Sequence, residues 1–280
     1  MTTPGDSVRE QQRRIWDRSA SGWGRWDHIV QPMLAGIGAA MIDRLALRPD
    51  SAHLDVASGT GEPGLTIARQ VPRGRVVLTD LAPAMLAYAA DRAAAKGLAV
   101  EVRACSADAL PFGDATFHSV SCRMGLMFVP DIAGALAEMR RVLRPGGRLA
   151  LSVWAEPAGN PWATVGMAAL AAEIVMPPPD PTAPGLFRCA AAGAVAGAMQ
   201  AAGFRDVDEI EVASEMVTAS PEEFWTMTCE VAAPLMAAMA GADTATRQRI
   251  GDEAIRRAAG FMQDGQVRLP AKARVLAGTA

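Results

Sequence analysis

Short apolar runs alternate with segments of helical periodicity through the first half of the chain. The runs have strand length and lie at 52–57, 75–80, 100–104, 117–122 and 147–154. Between them, apolar residues recur at helical spacing in 64–70, 83–96 and 132–143. Strands that alternate with helices pair in parallel, and the helices pack on both faces of the sheet. The pattern therefore predicts an α/β fold with a doubly wound sheet.

The pattern changes after residue 154, where longer helical segments separate the strands. A helix predicted at 162–174 is followed by prolines at positions 177, 178, 179, 181 and 184. Further helices are predicted at 190–202, 221–239 and 245–262, and strand-like runs at 207–217 and 267–276. The two late strands would complete a seven-stranded, Rossmann-like sheet, and we expect the last strand to be antiparallel.

Four regions follow from this pattern. Residues 1–40 form an N-terminal helical lid outside the sheet, in which 8–29 is a helix followed by a loop. Residues 41–156 form the Rossmann-like core. Residues 157–189 are an insertion that caps the substrate, and 190–280 complete the sheet and carry inserted helices.

The composition is globular and limits the classes of function. Of 280 residues, 50% are hydrophobic, and the net charge is -3. Because no basic excess is available to neutralise phosphates, we expect no nucleic-acid partner. The four cysteines form no C-x-x-C pair, and no histidine is placed near enough in the sequence to suggest a zinc site, so we expect no metal site and a reducing cytoplasm. The polar N-terminus predicts no signal peptide, and the apolar stretches are too interrupted to predict a membrane span.

A glycine-rich bend follows the first predicted strand. Its sequence, L-D-V-A-S-G-T-G-E-P-G, covers 54–64, and its glycines permit a tight turn and the close approach of a ligand. Asp80 ends the second strand, where a carboxylate can accept hydrogen bonds from both ribose hydroxyls of NAD or of S-adenosylmethionine (SAM). Asp55 lies within the first strand, where a carboxylate suits a cationic sulfonium and an amino group but not a pyrophosphate. The two carboxylates therefore favour SAM.

Five motifs in order carry a resemblance to a known family. They are L-D-V-A-S-G-T-G at 54–61, T-D-L-A-P-A-M-L at 79–86, A-D-A-L-P-F at 107–112, C-R-M-G-L-M-F-V-P-D at 122–131 and R-V-L-R-P-G-G-R-L-A at 141–150. With them the chain resembles the class I SAM-dependent methyltransferases, particularly the bacterial group similar to the ubiquinone/menaquinone-biosynthesis C-methyltransferases. The resemblance implies a methyltransferase with SAM as cofactor and S-adenosylhomocysteine (SAH) as product.

The resemblance also implies which residues hold the cofactor. In that family the acid of the second motif holds the ribose, the third motif reads the adenine edge, and the fourth strand ends at the methionine moiety. The implied residues are Asp55, Ala57, Gly59 and Gly61 at the bend, Asp80, Leu81 and Met85 after the second strand, Ser106, Ala107 and Asp108 at the third motif, and Cys122 and Arg123 at the fourth strand. We add Trp16 of the lid, because an aromatic face can cover the sulfonium of the donor.

Three positions depart from the family pattern. Ser106 stands where the family often has Asp, so the adenine contact belongs to Ser106 or to Asp108. His118 stands where an Asp commonly opens the fourth strand, and we interpret it as structural. Met127 and Phe128 replace the Arg-Asn pair of the quinone-pathway enzymes, which argues against a quinone acceptor.

Methyl transfer from a sulfonium is an in-line displacement on an activated donor. Alignment and exclusion of water can supply ~7–11 kcal/mol, and a general base is needed only when the nucleophile must lose a proton. His28, beside the Trp-rich segment 23–26, is the candidate base, because histidine titrates near neutral pH. Arg123 is a candidate to hold the SAM carboxylate or an anionic substrate.

Apolar and aromatic residues form the predicted acceptor pocket. They are Trp26, Met124, Met127, Phe128 and Trp162. Such a lining favours a hydrophobic small molecule, such as a polyketide, aromatic or terpenoid secondary metabolite, over a protein or nucleic acid. The sequence leaves open whether oxygen, nitrogen or carbon is methylated and whether the chain forms a homodimer.

Two other enzyme functions fit parts of the pattern. An NAD(P)-dependent oxidoreductase shares the glycine bend, although Asp55 and the R-V-L-R-P-G-G turn at 141–147 argue against it. A non-methylating enzyme can keep the fold and use SAM as a structural or electrostatic element in cyclisation or decarboxylation, because a fold does not fix its chemistry.

Overall fold

The computed structural model describes residues 4–175, 180 and 182–280, and its centre is one mixed sheet. The strands are β1 (Ala52–Val56), β2 (Arg75–Asp80), β3 (Glu101–Ala104), β4 (Phe117–Arg123), β5 (Leu143–Trp154), β6 (Arg205–Thr218), β7 (Met262–Gln263) and β8 (Gln266–Thr279). All seven predicted strands are present. The two-residue β7 is an addition that pairs with β8.

The strand order is β3-β2-β1-β4-β5-β8-β6. The first five strands along the chain are parallel to one another, and β8 is antiparallel to both β5 and β6. This arrangement confirms the predicted Rossmann-like sheet with an antiparallel last strand. Because β1, β2 and β4 are adjacent and parallel, their carboxyl ends meet at one edge of the sheet, where ligands bind in folds of this kind.

Helices pack on both sides of the sheet. In the described part of the chain they are α1 (Pro4–Arg25), α2 (Asp27–Ile42), α3 (Gly64–Gln70), α4 (Pro83–Ala95), α5 (Ile132–Val142), α6 (Pro161–Glu173), α7 (Ala194–Ala201), α8 (Pro221–Val231), α9 (Ala233–Met239) and α10 (Thr244–Ala259). None of these helices is long and apolar enough to cross a membrane.

The N-terminal region differs from its prediction. Instead of a helix and a loop over 8–29, it forms the two long helices α1 and α2, which are divided at Trp26. Helix α2 buries apolar side chains such as Ile37 and Met41, both fully buried, and packs beside β6 and β8. A hydrogen bond from the Ser214 hydroxyl to the Met33 carbonyl fastens it to β6. The lid is therefore anchored to the sheet through α2.

Two other predictions differ in detail, and a third lies partly outside the described residues. The helix predicted at 221–239 is broken at Ala232 into α8 and α9, because the proline in the first turn of α9 has no N–H with which to continue the helix. The helix predicted at 190–202 begins only after Gly193, whose φ of 74° is left-handed. Within the predicted insertion, α6 is present, but Met176 and the prolines at 177, 178, 179 and 181 lie outside the described residues.

Candidate functional site

The bend between β1 and α3 forms the floor of the candidate site. Ala57, Gly59 and Gly61 have φ values of 53°, 53° and 109°, a region that glycine adopts freely and other residues disfavour. A Cβ at Gly61 would lie 2.8 Å from the side chain of Leu65, so both conformation and space require glycine there. No atom lies within 4 Å of a Cβ at Gly59, so the bend presents its backbone to open space.

Asp80, at the end of β2, fixes this bend from the side. One carboxylate oxygen accepts a hydrogen bond from the Gly59 amide and the other accepts one from the Ala82 amide, both at 2.9 Å. Burial raises the pKa of Asp80 above its ordinary value. The backbone amides that donate to the carboxylate act in the opposite direction, but the effect of burial is larger. Asp80 also lines a cavity, so it connects the bend to the space in which a ligand can bind.

Asp55 holds the bend from below and does not line the cavity. Its carboxylate is fully buried, and it accepts hydrogen bonds from the Gly64 amide at 2.9 Å and from the Ser121 hydroxyl at 2.6 Å. Burial raises the pKa of Asp55 to about 7. The expectation that this carboxylate faces the cationic part of SAM is therefore corrected: its oxygens are engaged in fastening the start of α3 to the sheet.

The cavity opens above the bend, at the carboxyl edge of β1, β2 and β4. It encloses about 930 Å³, including the space at its mouth, and helices α1 and α2 form its outer wall. The predicted site residues that line it are Trp16, Ala57, Gly59, Asp80, Leu81, Met85, Ser106, Ala107, Arg123, Met124 and Phe128. Residues from four of the five motifs are thus brought together around one cavity.

Three other predicted cofactor residues do not line the cavity. Gly61 packs against Leu65 at the base of the bend. Cys122 is fully buried in the core, and this burial raises the pKa of its thiol to about 12. The carboxylate of Asp108 is turned to other protein groups, as described next. These residues support the cavity wall from behind.

Asp108 connects the third motif to the lid. Its carboxylate accepts hydrogen bonds from the guanidinium of Arg9 in α1, the shortest at 2.9 Å, and from the hydroxyl of Ser106. Burial acts to raise the pKa of Asp108, but the hydrogen bonds from Arg9 and Ser106 outweigh it and keep the pKa below its ordinary value. Of the two residues considered for the adenine edge, Ser106 lines the cavity, and Asp108 holds the Ser106 side chain in place.

Arg123 ends β4 and brings a positive charge to the cavity. Its guanidinium donates a 2.9 Å hydrogen bond to the side-chain oxygen of Gln31 in α2. Burial lowers the pKa of Arg123 to about 10, so the group stays cationic at neutral pH. Among the residues that the structure describes, no carboxylate lies within ion-pair distance of it. A half-buried cation of this kind is suited to binding an anionic group of a ligand.

The outer part of the cavity is aromatic. The ring of Trp16 meets that of Phe128 edge-on at 4.9 Å, and Trp23 lies 6.1 Å from Trp16. Two polar atoms of cavity-lining residues, the Trp23 indole nitrogen and the Ser58 hydroxyl, are buried without a hydrogen-bond partner among the residues described. Because such groups are costly to leave unpaired, they indicate a ligand that supplies the partners.

Three predicted acceptor residues and the candidate base lie outside the cavity lining. The Trp26 indole donates to Glu230, and Met127 is fully buried in the core. Trp162 packs on Trp154 and donates to Asn160. His28 is exposed, with its ring beside that of Trp26 at 5.8 Å and one ring nitrogen near the Arg25 carbonyl. Apolar residues that are close to the site in the sequence can thus pack elsewhere in the protein and not line the cavity.

The sequence did not predict the polar residues that the lid contributes. Gln12 and Gln31 both line the cavity, and the Gln31 amide reaches the Thr60 hydroxyl at 3.5 Å. Thr60 also accepts a 3.1 Å hydrogen bond from Arg92 of α4. No motif marks these glutamines, and only the helical register of the lid brings them to the cavity. In the described ranges, no group of three or more histidine, cysteine or acidic residues is arranged to hold a metal ion.

Comparison with known proteins finds similar methyltransferases. Residues 54–147 match the model of a methyltransferase domain. The ubiquinone/menaquinone biosynthesis C-methyltransferase UbiE of Bordetella parapertussis is 38% identical over 145 residues, which cover 50% of this chain and 56% of that protein. The demethylmenaquinone methyltransferase of Deinococcus radiodurans is 33% identical over 162 residues, which cover 56% of this chain and 67% of that protein.

The match thus spans little more than half the length of the Bordetella relative. Among solved structures, the YcgJ protein of Bacillus subtilis aligns with a TM-score of 0.56 at 19% identity, over 86% of this chain and 97% of that one. This likeness concerns the fold alone.

Proposed function

The chain belongs to the class I SAM-dependent methyltransferases, and from this premise we propose that it transfers the methyl group of SAM to an apolar small molecule. The cavity at the glycine bend carries the proposal. It combines a carboxylate at Asp80, open backbone at Gly59 and a cation at Arg123 with an outer wall of aromatic residues. The family membership makes an NAD(P)-dependent oxidoreductase the weaker interpretation.

The residues around the cavity fit SAM group by group. Asp80 uses one lone pair of each oxygen for a backbone amide, so further lone pairs remain for two ribose hydroxyls. We assign the adenine edge to Ser106 and the methionine carboxylate to the guanidinium of Arg123. The unpaired Ser58 hydroxyl and Trp23 indole supply additional hydrogen bonds within the same space.

When bound, SAM supplies a methyl group that is already activated by its positive sulfur. The protein's contribution is then to position the two reactants and to exclude water. The ionisable residues in the described cavity lining are Glu62, Asp80, Cys105 and Arg123. Glu62 is engaged with the amide and hydroxyl of Thr66, and the pKa of Cys105 is raised to about 11 by burial. We therefore propose an acceptor that binds already ionised, so that no side chain of the cavity has to remove its proton.

The outer wall supports an aromatic or other apolar acceptor. Trp16, Trp23, Phe128 and Met124 present flat or apolar surfaces, which favour stacking against a ring. Two of the relatives are named for ubiquinone and menaquinone biosynthesis, so a quinol is one such acceptor. The Met127-Phe128 pair departs from the quinone-pathway pattern, and a phenolic or enolic secondary metabolite remains the alternative.

Calorimetry and product analysis test the proposal together. The protein should bind SAM and SAH but not NADH. With methyl-labelled SAM and a panel of quinols, phenols and amines, label should appear in an apolar acceptor. Conversion of an acceptor with SAM left intact would instead support a non-methylating enzyme, and absence of SAM and SAH binding would contradict the proposal.

Replacing Arg123 by glutamine should weaken SAH binding about tenfold or more, because hydrogen bonds to a charged group contribute ~1.5–3 kcal/mol. Methylthioadenosine has the same nucleoside and sulfur but no carboxylate, so its affinity should change little. The exposed Arg69 of α3 provides the control, Arg69→Gln, which should bind both ligands as the wild type does. Equal losses for both ligands in Arg123→Gln would contradict a carboxylate contact.

A further inference from the structure

A row of four buried polar residues crosses two neighbouring strands behind the glycine bend. His53 and Asp55 lie on β1, and Ser119 and Ser121 lie beside them on β4. The imidazole Nδ1 is 2.8 Å from the Ser119 hydroxyl, and Nε2 is 2.9 Å from the Ser121 hydroxyl. None of the four is more than 1% exposed. The row ends at the Asp55 carboxylate, which in turn accepts a hydrogen bond from the Gly64 amide.

The chemistry of these groups fixes the direction of their hydrogen bonds. Above neutral pH, where the pKa of about 7 leaves Asp55 mostly ionised, its carboxylate can only accept, so Ser121 gives its proton to Asp55. Ser121 must then accept from His53, which requires a proton on Nε2. Burial lowers the pKa of His53 to about 3, so the ring is neutral and Nδ1 carries no proton. Nδ1 therefore accepts from the hydroxyl of Ser119.

We propose that His53 is a positioning residue, which as the Nε2–H tautomer directs the Ser121 proton to Asp55 and so holds the glycine bend in its ligand-binding form. The inference rests on the proposed function, because the bend is where SAM is assigned. Without the donor at His53, the Ser121 hydroxyl can turn away from the carboxylate. Asp55 would then hold the Gly64 amide, and with it the first turn of α3, less firmly.

The surroundings of the row argue against a merely space-filling histidine. Leu54, Val56 and Val120 show that apolar side chains fill the neighbouring positions of the same strands. Buried polar groups are costly unless all are hydrogen-bonded, and an apolar row would avoid that cost. The row therefore has a use that apolar residues cannot supply, and the Asp55–Gly64 hydrogen bond links it to the cavity floor.

Nitrogen NMR on protein with isotope-labelled histidine tests the tautomer directly. The sequence has three histidines, so a His53→Gln sample assigns the signals. Above neutral pH the wild type should show a proton on Nε2 of His53. In Asp55→Asn the side-chain amide donates to Ser121, so Ser121 gives its own proton to Nε2 of His53. The directions of the hydrogen bonds along the row are then reversed, and the imidazole proton lies on Nδ1. A proton on Nδ1 in the wild type, or an unchanged tautomer in Asp55→Asn, would overturn the proposal.

Binding of SAH provides a second readout. His53→Gln retains one donor and one acceptor and should bind SAH nearly as the wild type does, whereas His53→Leu should bind it about tenfold more weakly. The control is His118→Gln, on the same strand as the serines but outside the row. Equal binding by His53→Leu and wild type would overturn the positioning role.

If His53→Leu does not fold, the tautomer experiments still decide. If the wild type shows the expected tautomer but binds no SAH, the proposed function fails and the hydrogen-bond direction stands.

Discussion

Replacement of Asp80 by alanine should weaken the binding of SAM and SAH by at least about 100-fold, because two hydrogen bonds to a charged acceptor contribute ~3–6 kcal/mol together. The same carboxylate also holds the Gly59 and Ala82 amides. Its removal therefore takes away the assigned ribose contact and loosens the bend that shapes the cavity. Methylthioadenosine, which keeps the ribose, should lose as much affinity as SAH, in contrast to the result expected for Arg123→Gln.

The matched control is Asp91→Ala, which removes an exposed carboxylate from α4, the helix that follows Asp80. Calorimetry on both variants, with thermal unfolding to show that they are folded, separates the contact from a general effect of charge. A folded Asp80→Ala protein with wild-type affinity for SAH would contradict the ribose assignment.

Replacement of Gly125 by alanine should destabilise the protein by about 1–3 kcal/mol, the usual cost of overpacking a filled space. A Cβ at Gly125 would lie 2.4 Å from the Cβ of Ala57 and 3.1 Å from the sulfur of Cys122. The backbone itself permits the change, because φ at Gly125 is -98°. The expected loss is therefore steric, and chemical denaturation measures it.

A second substitution separates this steric cause from other effects. Ala57→Gly removes the Cβ that the new side chain meets, and it also relieves a φ of 53° that alanine disfavours. Alone it should change the free energy of unfolding by less than about 1 kcal/mol, because the strain relieved and the added chain flexibility oppose each other. Combined with Gly125→Ala it should restore most of the lost stability. Additive effects of the two substitutions would contradict a direct clash.

The strands of the core were predictable because burial and sequence pattern coincide in them. Strand β2 is buried over five of its six residues and matches the predicted range 75–80. The position of β8 between β5 and β6 was not predictable from pattern alone, since both late strands have similar lengths and alternation. The break at Ala232 was missed because the apolar periodicity continues through it.

The residues of the candidate site also fall into some that could be predicted from the sequence and some that could not. Residues at the ends of parallel strands, such as Asp80 and Arg123, were predicted because topology alone brings strand ends to one edge. The lid residue Gln31 was missed, because its place depends on how α2 packs on the sheet. Asp55 was identified as important but for the wrong contact, since sequence spacing does not show which way a buried carboxylate is satisfied.

The place of β8 also has a consequence for biosynthesis. This strand is made after every other strand, yet it occupies an interior position between β5 and β6. Until residues 266–279 leave the ribosome, β5 and β6 each present an unpaired edge, and exposed strand edges invite pairing between chains. The nascent protein is therefore most open to aggregation between the synthesis of β6 and that of β8, when most of the apolar core has already been synthesised.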